Sequence, residues 1–326
     1  MTASPRKRWA TGALLALAAV LLVVLLRQIR VSDLTQLAGR LSARQMGLLC
    51  TVYALTTWLR GIRLGLLIGD RRSVSLAAVS GVHAFLNHVV PLRLGELSLP
   101  MLGKFFLRRE LTHGSAALVV MRLYDVFAIA LLILLSVLGV GAGLASAYRL
   151  AVVFTGGALL AGGALGLRLL PALLAGGGHV AARALRALNR RLAGPADRLE
   201  RAGAEMAAKV SGLPPALRYA ALPAVSLLIQ ASVYMFFYLS MAFMGIDLGF
   251  FLNTLASTGE LITGLLPINA IGSVGTLEAG WAVGFVLCGV DRAPAIASGF
   301  VMHGIILLTA FFLAAAGSGW LLAVRR

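Results

Sequence analysis

Apolar runs separated by short, arginine-rich connections fill almost the whole of this 326-residue chain. A hydrocarbon core about 30 Å thick takes about 20 helical residues to cross. By that measure Trp9–Leu26, Met46–Ile68, Gly114–Leu138, Arg149–Leu170, Leu217–Met244 and Pro294–Leu322 each suffice for one span. Two further regions are cut in half. Val74–Val90 and Leu97–Leu107 flank the segment Asn87 to Glu96, and Phe250–Leu266 and Leu277–Val290 flank a second Pro/Gly break. Irregular backbone and charge at membrane depth are tolerated only where protein or a water-filled cavity surrounds them. Each cut region therefore reads as a re-entrant hairpin whose tip lines a site. The expected fold is an all-α polytopic membrane protein with about six full spans and two oppositely oriented re-entrant hairpins. No alternating ten-residue strand pattern speaks for a β-barrel.

The order of elements repeats. Residues 9–138 read span, span, hairpin, span, and residues 149–322 read the same with opposite orientation. One tip carries Pro91-x-Arg93-x-Gly95-Glu96, and the other Pro267-x-Asn269-x-x-Gly272-x-x-Gly275-x-x-Glu278. Inverted repeats with helices broken at corresponding positions point to a transporter whose site lies near the midplane. A chance likeness of two Gly/Pro kinks is the competing reading. Between the repeats, residues 171–215 form a basic amphipathic linker, opened by Gly176-Gly177-Gly178 and closed by Pro214-Pro215. Its leucines recur at helical spacing between arginines. A shorter amphipathic stretch from Val31 to Leu41 reads as an interfacial helix.

Composition narrows the class. With 60% hydrophobic residues and a mean hydropathy of +0.92, an ordinary soluble domain is excluded. The net charge of +17 resides mostly in connections and span ends, where the positive-inside rule and anionic lipid account for it. No nucleic acid partner is expected, because no groove-reading or stacking element accompanies the charge. Cytoplasmic termini put the 70–73, 104–109, 168–218 and 325–326 clusters inside; Arg27, Arg30, Arg40 and Arg44 then fall outside, against the scheme. The first run ends in Leu25-Leu26-Arg27-Gln28 without a small-residue cleavage site, so a retained span is expected. Cys50 and Cys288 lack metal or disulfide spacing, and His83, His88, His113 and His303 make no ligand pattern. With no nucleophile elbow, phosphate loop or dinucleotide fingerprint, neither an enzyme nor a cofactor is expected.

The polar residues at the tips carry the candidate chemistry. Arg93 and Glu96 either neutralise each other, or Arg93 holds an anionic headgroup with help from free N–H groups at a half-helix end. Its planar fork suits phosphate. Arg122 and Asp125, one turn apart in the third span, are either a helix–helix clip or part of the cavity wall. Glu260 and Glu278 have no basic residue between them in the sequence. Desolvated, such carboxylates suit a proton carrier; neutral, they are hydrogen-bonding groups. Glu96 and Glu278 follow the two tips at matching places, so a transmembrane pH gradient is expected to bias transport. Glycine pairs at Gly156-Gly157 and Gly162-Gly163 read as close helix packing.

At these residues the chain resembles a known family. Asn87…Pro91-x-Arg93-x-Gly95-Glu96, Arg122-x-x-Asp125, and Pro267…Gly272…Gly275…Glu278 are similar to the lysylphosphatidylglycerol synthase transmembrane, or flippase-like, family. Trp58, Arg60 and Arg63 match it too, and the resemblance covers nearly the whole chain. Met121 departs from it, standing where a glutamate is common. In that family's synthases the membrane domain is associated with moving an aminoacylated lipid between leaflets, while a soluble domain makes it. No such soluble domain follows here, so the resemblance implies a stand-alone member in a bacterial cytoplasmic (inner) membrane. Substrates proposed for such members include phospholipids, polyprenyl-linked lipids and hopanoids.

The leading expectation is a translocase moving an anionic or polyprenyl-linked lipid between leaflets. Asn87, Pro91, Arg93, Gly95, Glu96, Arg122, Asp125, Glu260, Pro267, Asn269, Gly272 and Glu278 are its expected substrate-binding residues. The alternative is a non-transporting partner that docks a lipid-modifying or glycosyl-transferring enzyme through the basic linker. Oligomeric state leaves no trace in the sequence.

Overall fold

A computed structural model describes residues 30–141, 146–189, 192–264 and 274–325, together with Leu25, Arg27 and Gln28. The expected first span, and the second tip with Pro267, Asn269 and Gly272, lie outside the described residues. Those that are described form eleven α-helices and no strand. They are α1 (Val31–Gly39), α2 (Ala43–Ile68), α3 (Ser73–Val89), α4 (Ser98–Leu107), α5 (Leu111–Val140), α6 (Ser146–Leu188), α7 (Ala193–Ser211), α8 (Leu222–Phe243), α9 (Phe250–Gly264), α10 (Thr276–Leu287) and α11 (Arg292–Arg325). Four helical stretches are long and apolar enough to cross a bilayer: α5, most of α6, Leu217–Phe243 and α11. The chain is an all-α, multi-pass membrane protein.

Local chemistry sets the helix ends. Ser42 Oγ accepts from the Gln45 N–H at 3.3 Å while Gln45 Oε1 accepts from the Ser42 N–H at 2.9 Å, a reciprocal cap that starts α2. Gly69, at φ 64°, ends it in the left-handed conformation that a glycine adopts without steric cost. Arg40 Nη1 donates to the Met244 carbonyl at 2.8 Å, at the end of α8. One of the four arginines that argued against the topology is thus a helix C-terminal ligand, where a cation is favoured.

The break after α3 is a 3₁₀ helix, Pro91–Leu97. Pro91 opens it, since proline has no N–H to offer the preceding turn. The tip then folds back on itself at Gly95. A Cβ there would collide with the Leu86 carbonyl and the Asn87 Cα. On the far side His83 Nδ1 bonds Ser98 Oγ at 2.8 Å, tying α3 to α4.

The linker differs from its expected form. Helix α6 does not stop near Leu170; it runs 43 residues through Pro171 and Gly176–Gly178 to Leu188. At about 1.5 Å per residue it is about 65 Å long, twice the thickness of a hydrocarbon core. Only the last glycine of the run is packed, while Gly176 and Gly177 have open space. Gly178 meets Gly203 of α7 backbone to backbone, so a Cβ on Gly203 would lie 2.7 Å from the Leu174 carbonyl. Beyond that contact Arg186 bridges Asp197 and Glu200, each at 2.6 Å, and Lys209 Nζ reaches Glu110 at 2.9 Å. The glycine pairs of α6 split their faces. Gly156 and Gly163 sit against α5, while Gly157 and Gly162 have open space.

Among the described residues two large apolar cores result, with two small satellite clusters. One joins Tyr234, Phe236 and Phe237 of α8 to Trp281 and Phe285 of α10 and Met302 of α11. The other joins the end of α2 to α3, α4 and α5 through Leu64, Leu76, Leu99 and Val120.

Candidate functional site

Tyr53, Thr56, Arg60 and Arg63 recur at helical spacing and place a polar stripe along one face of α2. A stripe on α3 (Ser80, His83, Asn87 and His88) and one on α5 (Arg122 and Asp125) share a cavity with it, about 390 Å³ in volume. Leu64 and Leu99 of one core, and Phe236 and Phe237 of the other, supply part of its wall. Leu118, Ile129, Ile133 and Val233 extend the apolar surface, and Leu159 of α6 adds to it.

Asp125 is the hub of the polar end. Arg63 grips it with both arms, Nη1 to Oδ1 at 2.6 Å and Nη2 to Oδ2 at 3.3 Å. Gln230 Nε2 donates to Oδ1 at 2.9 Å, and Arg122 Nη1 lies 3.9 Å from Oδ2. Arg63 is only 4% exposed, and its Nη1 also donates to Ser226 Oγ at 2.9 Å. Charges so buried persist only when paired and hydrogen-bonded. Arg122 turns its other arm to Glu96 of the tip at 3.0 Å, and this pair is more open to the cavity.

Arg60 differs from its neighbours. Among the described residues no carboxylate comes within ion-pair distance of it, although Asp125 is near enough to act on it electrostatically. It lies beside the Tyr53 hydroxyl, which makes no well-formed hydrogen bond of its own. Asn87 Oδ1 is likewise buried without a partner. A guanidinium, a phenol and an amide thus converge on one cavity with hydrogen-bonding capacity to spare.

The family model for the lysylphosphatidylglycerol synthase TM region matches residues 10–315. The chain belongs to that family. No curated protein and no solved structure matches it. In this member of the lysylphosphatidylglycerol synthase TM region family, Pro267, Asn269 and Gly272 lie outside the described residues and the other nine expected from sequence divide into three groups. Asn87, Glu96, Arg122, Asp125 and Glu260 line the cavity. Pro91, Arg93 and Gly95 belong to the 3₁₀ tip, where Gly95 permits the fold-back. Glu278 stands apart from the cavity wall. It is 1% exposed, and its Oε2 accepts the Gly275 N–H at 2.6 Å at the start of α10. Its Oε1 is 2.6 Å from His303 Nδ1 of α11. Glu260 is 9% exposed and keeps its Oε2 without a partner.

Sequence reasoning gave no role in the site to Gln230, Ser226 or His303. Gln230 and Ser226 are four apart, one turn of helix, in a run otherwise apolar, which is the signal that finds them. His303 has only its polarity within an apolar helix to mark it.

Proposed function

We propose that this protein translocates an anionic lipid between leaflets, with its headgroup in the cavity and its chains left in the bilayer. The observation that carries the reading is Arg60, a cavity-lining guanidinium that meets no carboxylate at ion-pair distance among the described residues, in a chamber with a polar end and an apolar wall. A guanidinium suits a phosphate through paired hydrogen bonds. Keeping the chains in hydrocarbon avoids about 0.8 kcal/mol per exposed CH₂.

The proposed topology supports this use. Helices α3 and α4, of 17 and 10 residues, and α9 and α10, of 15 and 12, each fall short of the about 20 residues a span needs. Each pair would form a re-entrant hairpin, the two in opposite orientation. Both termini would be cytoplasmic in an inner membrane, with the α6–α7 pair projecting on the same side.

A second reading, a docking partner for a lipid-modifying enzyme, is favoured by one feature. Arg183, Arg198 and Arg201 are exposed on that projecting pair. Leaflet-specific labelling in reconstituted vesicles separates the two. Transfer of a fluorescent phosphatidylglycerol between leaflets by the purified protein supports translocation. Transfer no faster than in protein-free vesicles overturns it.

A further inference from the structure

Behind the cavity, a chain of titratable groups links the two broken regions of the molecule. His303 Nδ1 and Glu278 Oε1 are 2.6 Å apart, with the two residues 2% and 1% exposed. When Glu278 is a carboxylate, Nδ1 donates to it and the neutral ring keeps its lone pair on Nε2. That Nε2 is buried and has no hydrogen-bond partner among the described residues. The ring of His88 stands 6.2 Å from the ring of His303, centroid to centroid, and His88 lines the cavity. Glu278 opens α10, and His88 ends α3 one turn before the 3₁₀ tip.

We infer that Glu278, His303 and His88 carry a proton between the lipid cavity and the start of α10, and that headgroup binding loads it. A proton reaching His303 Nε2 makes an imidazolium. Loss of the Nδ1 proton to Glu278 Oε1 then leaves a neutral ring, protonated at Nε2, and a carboxylic acid at Glu278. The reverse steps return the proton to the cavity. The surrounding charges set the coupling. His303 of α11 and Arg60 of α2 are both near enough to act electrostatically on His88, and His83 of α3 is near it as well. An anionic headgroup on Arg60 lessens the positive charge that faces His88 and so favours uptake. At the other end Glu260 of α9 is near enough to Glu278 for the two carboxyl groups to interact electrostatically.

The link to lipid rests on the translocase reading, so two measurements keep the questions apart. The first is ¹⁵N NMR of histidine-labelled protein in nanodiscs from roughly pH 5 to 9. The expected result is a His303 Nε2 signal that titrates, with a midpoint displaced by Glu278→Gln and by His88→Gln. A His303 ring unchanged across the range, or indifferent to both substitutions, overturns the chain. The second is transfer of fluorescent phosphatidylglycerol in phosphatidylglycerol/phosphatidylethanolamine vesicles, with and without a one-unit pH gradient. A gradient of that size can bias the rate by at most about tenfold, and a several-fold ratio is expected. His303→Asn keeps an amide to donate to Glu278 but lacks the second ring nitrogen, so its ratio should fall to one, as should that of Glu278→Gln. A wild type that moves lipid with a ratio of one overturns the coupling. A His303→Asn protein with the wild-type ratio assigns His303 a purely structural role and overturns the relay. A wild type that moves no lipid overturns the translocase reading instead, and the NMR titration still decides the proton chain.

Discussion

Arg63 and Asp125 hold each other through two hydrogen bonds, at 2.6 and 3.3 Å, between helices 62 positions apart in sequence. The pair is a fastening between α2 and α5, whereas Arg60, one turn away, lies beside Tyr53 and meets no carboxylate at ion-pair distance among the described residues. Removing one partner of a buried pair costs about 3–5 kcal/mol, because the other charge stays buried. Arg63→Ala should therefore lower thermal stability of the detergent-purified protein markedly. Arg60→Ala should leave the melting temperature within a few degrees of wild type but cut lipid transfer about tenfold or more. Equal melting losses for the two variants would show that Arg60 is structural as well.

The 3₁₀ tip depends on a missing side chain. Gly95→Ala forces a methyl group into the Leu86 carbonyl and Asn87 Cα, both backbone, which cannot swing aside. Overpacking of this kind costs about 1–3 kcal/mol, and the strain falls on the segment that carries Glu96. The expected outcome is a lowered melting temperature together with loss of lipid transfer. Gly103→Ala, where nothing lies within 4 Å, is the control that should change neither.

Acid sensitivity should be traceable to the α2–α3 connection. Asp70 is held below the usual carboxylate range, chiefly by hydrogen bonds from the Arg72 side chain, with further help from the Arg72 backbone N–H and the charge of Arg109. A depressed folded-state value contributes stability that is complete above the unfolded value of about 3.9 and is lost as pH falls through the folded one. Melting temperature measured from pH 7 down to about 3 should therefore fall less steeply for Asp70→Asn than for wild type at the acid end. Parallel curves would leave Asp70 without a role in acid stability.

Gly203→Leu should separate α7 from α6. The new side chain meets the Leu174 carbonyl and Gly178, so the two helices can no longer touch backbone to backbone. Limited trypsin digestion should then cut at Arg198 and Arg201 well before it does in wild type. Unchanged digestion would mean that the ion pairs around Arg186 alone hold the two helices together.

Much of this architecture is legible in the hydrophobic pattern, because in a bilayer the length of an apolar run is a direct physical requirement. The break at Pro91–Leu97 announced itself through proline, glycine and two charges in an apolar field. The end of α6 did not. Proline and a glycine triplet ordinarily stop a helix, and the close approach of α7 to Gly178 is a tertiary fact that the sequence does not announce. The site shows the same division. Arg122 and Asp125 looked like partners from their spacing, yet Asp125 belongs mainly to Arg63, since an arm from another helix reaches it with better geometry. Glu278 looked unpartnered because its partner, His303, is 25 positions further on.

Helix α6 is the least buried of the four long apolar helical stretches. Its extensive contacts are with α5 and α7, and it still gives Leu159 to the cavity wall. A wall fastened along a single seam is asymmetric in what it resists. Glycines at 156 and 163 make that seam close but poor in interlocking side chains, so little must be unpacked to part it. For an amphiphile, the opening this favours is a lengthwise slit facing hydrocarbon rather than a hole facing water, and the tails would never have to leave the solvent they prefer.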